Sequence, residues 1–224
     1  VTKTWRGKRR DRLGGIDQPD DDDLDALIRA TTSGQRWADP PRRPEPPAED
    51  ARFDVVTGTA ETPVGFLSLA LTQRGLVCCS FDPEETLLPR LARAVSSRIG
   101  THEARLDPVR RELNAYFEGR LTSFSVPLDL RLTSDFGRVV LRSLLRVPYG
   151  STATYQGLAE GVGRGNAVRA VVNTLATNPI CVLLPCHRVI PDGYPHETGP
   201  YAGGPDAKRY LLTLEEFKKR SRSG

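Results

Sequence analysis

Between Asp39 and Asp50 the chain reads DPPRRPEPPAED, five prolines in twelve residues. Proline fixes φ and removes a backbone donor, so neither a helix nor a central strand runs through such a stretch. The sequence is therefore divided near residue 52. Ahead of that point stand a basic cluster at Arg6–Arg12 and an acidic run at Asp20–Asp23. Residues 1–50 hold ten Lys and Arg against eleven Asp and Glu, and Leu24–Ile28 offers no more than a transient turn or two of helix. This composition buries little, and residues 1–52 are expected to be a disordered, charged tail. Residues 51–224 hold 22 Lys and Arg against 17 Asp and Glu, mostly Arg. An excess of this sign fits a nucleic-acid partner, and it equally fits an Arg-rich solvated surface.

No apolar run approaches the roughly 18–20 residues of a membrane span. The charged start WRGKRRDR is followed by no apolar stretch, which argues against a signal peptide. The four cysteines are Cys78, Cys79, Cys181 and Cys186. Adjacent Cys78 and Cys79 make a poor disulfide scaffold, and a chain of this size needs none. With no C-x-x-C and three histidines, no zinc site is expected. The expectation is a cytoplasmic chain with reduced thiols and no cofactor.

Hydrophobic periodicity predicts an α+β unit over residues 53–132. Phe53–Thr59 and Val64–Leu71 alternate as strands about a turn at Thr62, Pro63 and Gly65, and Leu76–Phe81 reads as a third strand. Apolar residues at 87, 88, 91, 95 and 99 predict a helix over 83–99. Asp107-Pro108 is expected to open another, with Leu113, Tyr116 and Phe117 on one face and Gly119 as its stop. Ser123–Leu130 is then expected to return as a strand.

Residues 133–217 change character. Phe136–Val147 is an apolar helical pattern ended by Pro148-Tyr149-Gly150. Thr154 is placed to cap a short helix that Gly161, Gly163 and Gly165 break, and Asn166 to cap a second, Ala167–Ala176, before Asn178-Pro179. Two short helices across a glycine turn describe a helix-turn-helix. Ile180–Leu184 is expected to be a buried strand. A last helix runs from Pro205 to about Lys219, leaving a basic tail at 218–224.

The chemistry gathers at Pro185-Cys186-His187-Arg188-Val189. On an extended chain Cys186 and His187 point to opposite faces, so they interact only through a bend or a bridging water. Pro185 fixes the backbone before the thiol, and His187 and Arg188 are expected to favour thiolate. Glu215 on the last helix completes a nucleophile, base and orienter. The competing reading is a buried core thiol.

With these residues in view, the chain resembles the O6-alkylguanine-DNA alkyltransferases. The resemblance rests on Pro148-Tyr149-Gly150, Tyr155, Arg169-Ala170-Val171, Asn178-Pro179, Pro185 through Val189, Tyr201-Ala202-Gly203-Gly204 and Leu211 through Glu215. It extends more loosely over the N-terminal unit, covering residues 53–217. It implies a small ribonuclease H-like α+β domain followed by a winged-helix-like helix-turn-helix domain. It implies a single-turnover, self-inactivating methyltransferase that repairs double-stranded DNA carrying O6-alkylguanine, and leaves open whether O4-alkylthymine is a further substrate. A monomer is expected. By resemblance Cys186 accepts the alkyl group, His187 deprotonates it through a water, Glu215 orients His187, and Asn178 braces the site. Tyr155 crowds the 3′ phosphate, and Arg169 takes the place of the extruded base. Ala167, Ala170 and Asn173 share that DNA-facing surface. Tyr201, Ala202, Val189 and Pro185 line the guanine pocket.

The chain departs from the family's pattern at Val172-Asn173, where small residues are usual, and in a longer loop over Ile190–Pro200. Three other readings compete. A lesion binder without transfer would lack the cysteine. A transcriptional regulator would want long polar side chains on a recognition helix that here is largely Ala and Val. A Cys-His-Glu hydrolase would turn over repeatedly and need no helix-turn-helix.

Overall fold

A computed structural model describes residues 52–223. The expectations for the tail, including a transient helix at Leu24–Ile28, lie outside the described residues. Four strands form one sheet in the order β3-β2-β1-β4: β1 Val55–Thr62, β2 Gly65–Thr72, β3 Gly75–Ser80 and β4 Ile99–Thr101. The first three pair as antiparallel neighbours, and β4 pairs parallel to β1, Val55 opposite Ile99. Alternation sends Val56, Ala60, Leu67, Leu69 and Leu76 to one face and Val55 and Ala70 to the other, where a register shift between β2 and β3 lets the adjacent Val77 and Cys78 both pack.

Helix α1, Glu84–Ala94, covers the second face with Leu87 and Leu91. Helix α2, Glu103–Phe117, covers the first with Leu106, Val109, Leu113 and Tyr116. Its end is a closed cap: Gly119, at φ 74°, donates to Tyr116 O, and Arg120 donates to Ala115 O.

The second half begins with α3, Asp135–Ser143, capped by Ser134 and extended by a 3-10 turn at Leu144–Arg146. Helix α4, Tyr155–Gly161, has Thr154 as its cap, its hydroxyl accepting from Gly157 N at 3.0 Å. Helix α5, Val168–Ala176, buries Val171 and Leu175, and α6 spans Gly204–Ser223. A short parallel pair, β5 Ala153–Thr154 with β6 Val189–Ile190, ties the start of α4 to the chain just after Cys186. One core runs through both halves, from Leu67 and Leu113 to Leu158, Val171 and Leu211. No helix among the described residues is long and apolar enough to cross a membrane.

Several local expectations are corrected. The helix expected over 83–99 stops at Ala94, where Val95 and Ser96 both donate to Leu91 O, and Ile99–Thr101 becomes an edge strand beside β1. Helix α2 opens at Glu103, not at Pro108. Pro108, like Pro89 in α1, stands on the exposed side of its helix, away from the packed face. Ser123–Leu130 is not a strand. Pro127 has no N–H to give a ladder, and a single bridge forms between Leu76 and Leu128. Asn166 is not a cap; Ala167 holds that position without a side-chain bond. Ile180–Leu184 also fails as a strand. After one bridge from Ile180 to Cys79 it folds into turns, with Val182 at φ 68°.

Candidate active site

Two tight turns set Cys186 in place. Leu183 N donates to Cys181 O at 2.8 Å across Val182, a β-branched residue held in the left-handed region. Cys186 N then donates to Leu184 O at 2.7 Å across Pro185, whose φ of −78° and ψ of 61° are those of an inverse γ-turn. The 3-10 turn Cys186–Arg188 follows, so the adjacent Cys186 and His187 lie on a bend, both buried.

Asn178, just past α5, organises the turn. Its Oδ1 accepts from Ile180 N at 3.0 Å. Its Nδ2 lies within 3.1–3.2 Å of Ile180 O, Leu184 O and Cys186 Sγ. Cys181 contacts the same residue, its Sγ 3.5 Å from Asn178 O. The Cys181 thiol, the Asn178 amide and the Lys208 ammonium together draw Cys186 below the ordinary thiol range, against the opposing effect of burial. The other three thiols move up: Cys181 through its hydrogen bond to Cys186 and burial, Cys79 through burial, and Cys78 through burial to about 12. Cys186 is thus the one thiol of the four drawn down from the ordinary range.

His187 is fully buried, and its Nε2 lies 2.9 Å from Glu215 Oε1. Burial pushes His187 below 6.5, while Glu215 pulls the other way. Burial would push Glu215 up as well, but His187 and Arg188 outweigh it and hold the carboxyl at about 2. Arg188 grips both carboxylate oxygens from Nε at 3.2 and 3.0 Å, and its Nη1 donates to Val147 O at 2.7 Å. Gly150 N donates to Oε2 at 2.9 Å. With Glu215 ionised, Nε2 carries the imidazole proton and Nδ1 is a bare acceptor, which has no hydrogen-bond partner among the described residues.

Arg188 therefore serves Glu215, not the thiol, which corrects the expectation that it favours thiolate. The cation acting on Cys186 is Lys208. Its side chain is buried, its Nζ donates to Val189 O at 2.7 Å and approaches the Tyr155 hydroxyl at 3.4 Å, and burial lowers it to about 8. Sequence reasoning missed Lys208. The signal was available: Lys208 and Glu215 are the charged members of an otherwise apolar stripe with Leu211 and Leu212. Tyr116 was read as core alone. It is core, yet its hydroxyl donates to Glu215 Oε1 at 2.7 Å.

Cys186, His187, Glu215 and Asn178 thus come together in one buried cluster. Pro185 and Val189 are buried beside it, Tyr201 meets the His187 ring edge-on at 6.3 Å, and Ala202 is exposed. Tyr155 opens α4 behind Lys208. Arg169, Ala170 and Asn173 lie along the exposed face of α5, with Ala167 and Val172 half-buried beside them. No group of three or more His, Cys, Asp or Glu among the described residues is placed to hold a metal ion.

Comparison with known proteins bears on this arrangement. Residues 55–130 match the 6-O-methylguanine DNA methyltransferase ribonuclease-like domain, and residues 135–217 match the DNA binding domain of the same name. A methylated-DNA--protein-cysteine methyltransferase of Mycolicibacterium paratuberculosis is 38% identical over 162 residues, 70% of this chain and 90% of the relative. One from Methanosarcina barkeri is 37% identical, covering 75% and 99%. The crystal structure of Mycobacterium tuberculosis OGT in complex with DNA aligns with a TM-score of 0.60 and 34% identity, over 71% of this chain and 92% of that one. Matched in order through both halves, and at this identity over nearly the whole length of its relatives, the chain belongs to the 6-O-methylguanine DNA methyltransferase family.

Proposed function

We propose that this chain repairs DNA directly, by moving the alkyl group of O6-alkylguanine to Cys186 Sγ once per molecule. The observation that carries the reading is the setting of the Cys186 sulfur, 3.2 Å from Asn178 Nδ2 on the bend that also carries His187. Cys186 alone of the four thiols is drawn down from the ordinary range, and it stands next to a buried His187–Glu215 pair whose free nitrogen is an acceptor.

The chemistry follows from those groups. Cys186 gives up its proton toward His187 Nδ1, and Glu215 stabilises the imidazolium through Nε2–H. The thiolate attacks the saturated alkyl carbon. A sulfur–carbon bond forms as the carbon–oxygen bond breaks, the electron pair stays with the guanine oxygen, and the proton that left Cys186 for His187 is returned to the base through solvent. Tyr155, raised to about 12 chiefly by burial, remains a hydroxyl donor through neutral pH. The product thioether carries no proton to lose and no good leaving group, so each chain acts once. Chemistry on a paired base requires extrusion, at a few kcal/mol. The exposed α5 face, with Arg169 beside Ala170 and Asn173, is the surface we assign to DNA, Arg169 filling the vacated stack. The cytoplasm is the compartment this reading calls for, since its acceptor must stay a thiol.

The test is a titration of the full chain with excess duplex containing O6-methylguanine. Repair stops at one guanine per chain, and Cys186→Ser binds the duplex without repairing it. Repair that continues past one equivalent, or a Cys186→Ser variant that matches the parent rate, contradicts the proposal.

A further inference from the structure

We propose that Tyr116, delivered by α2 of the N-terminal half, is a positioning residue of the transfer site, holding Glu215 with one oxygen aimed at His187. The inference rests on the reading above, in which His187 receives the Cys186 proton.

The geometry is specific. Tyr116 is fully buried, and its hydroxyl lies 2.7 Å from Glu215 Oε1 and 3.4 Å from His187 Nε2. The same carboxylate oxygen therefore receives the tyrosine hydroxyl and the imidazole. The ring has little freedom. Phe117 and Phe124 stand at 5.3 Å between centroids, and Tyr149 at 6.1 Å. The other donors to Glu215 named above, Gly150, His187 and Arg188, all come from the C-terminal half. Arg188 fixes where the carboxylate sits, but its planar fork reaches both oxygens and leaves their division of charge open. Tyr116 loads one oxygen only.

A buried tyrosine needs some partner for its hydroxyl, and a carboxylate would serve a purely structural role too. The two roles differ in what His187 feels. A donor on Oε1 withdraws charge from the oxygen that stabilises imidazolium. It acts with burial, Arg188 and Lys208 to keep His187 neutral, so that Nδ1 stays free to accept. The ionisable groups facing the pair are Tyr116 from α2, Tyr149 from the loop before β5, Cys186 and Arg188 from the 3-10 turn, Tyr201 before α6, and Lys208 on α6. Tyr116 stays protonated throughout, since burial and Glu215 both raise it.

Tyr116→Phe removes the hydroxyl and keeps the ring. His187 then binds its proton more tightly, and the acid limb of the pH–rate profile moves to higher pH. Transfer falls several-fold near pH 6 and recovers toward pH 8. The His187 imidazole, followed by nitrogen NMR without DNA, titrates higher by a matching amount. Placing 3-fluorotyrosine at 116 keeps the fold and strengthens the donor, and it moves both readings the opposite way. A uniform loss of rate and stability with an unmoved profile and an unmoved imidazole overturns the proposal. So does a fluorotyrosine shift in the same direction as Phe. If the parent chain transfers no methyl at all, the reading of function fails, and the imidazole titration alone decides the role of Tyr116.

Discussion

Glu215 shows how much one side chain decides here. Its carboxylate meets Tyr116, Gly150, His187 and Arg188 at once, all but Gly150 buried. Held at about 2 against an ordinary 4.5, it contributes stability that is present above 4.5 and lost as pH falls from there toward 2. That contribution is about 3 kcal/mol at neutral pH. Glu215→Gln strands the Arg188 charge as well, so it is expected to lose about 3–5 kcal/mol in denaturant unfolding. The gap to the parent should shrink between about pH 4.5 and pH 2 as the parent loses its own carboxylate. An equally stable variant at neutral pH, or a gap indifferent to pH, contradicts this account. The sequence pointed to Glu215 as the acid on the last helix that would complete a Cys–His pair. It could not show that Arg188 would turn away from the thiol, because a guanidinium goes where the carboxylate is, and that contact spans 27 residues.

Among elements, those fixed by local chemistry were readable and those fixed by a distant partner were not. Alternation placed β1 to β3, Thr154 capped α4, and Gly119 ended α2 as their side chains require. Strand β4 has three residues and exists because β1 presents an open edge, which no local pattern records. Ile180–Leu184 reads as a strand by composition, yet the site needs Cys186 and His187 on a bend, and Val182 takes a left-handed conformation to provide it. Helix α5 was legible as a helix, and its faces divide as the pattern implies, Val171 and Leu175 inward, Arg169 and Asn173 outward. If Arg169 fills the stack of an extruded base, Arg169→Ala slows methyl transfer from duplex DNA at least tenfold more than transfer from the free O6-methylguanine base. Equal losses on both substrates, measured as second-order rate constants, rule that role out.

For the molecule as a whole, one core joins the two halves, and the α2 tyrosine reaches the same carboxylate as the histidine beside the thiol. The two-part organisation was legible, and Pro185 through Val189 marked Cys186 as the candidate acceptor. The contribution of the N-terminal half to the site was not, because Tyr116 and Glu215 are 99 residues apart and only packing joins them. Of the four thiols, Cys186 alone is proposed to take the alkyl group. Peptide mass spectrometry after mixing the full chain with a duplex containing O6-methylguanine locates the methyl. One methyl mass is expected on the peptide carrying Cys186, and none on Cys186→Ala. A methyl on Cys78, Cys79 or Cys181, or repaired duplex with Cys186 unmodified, would contradict it.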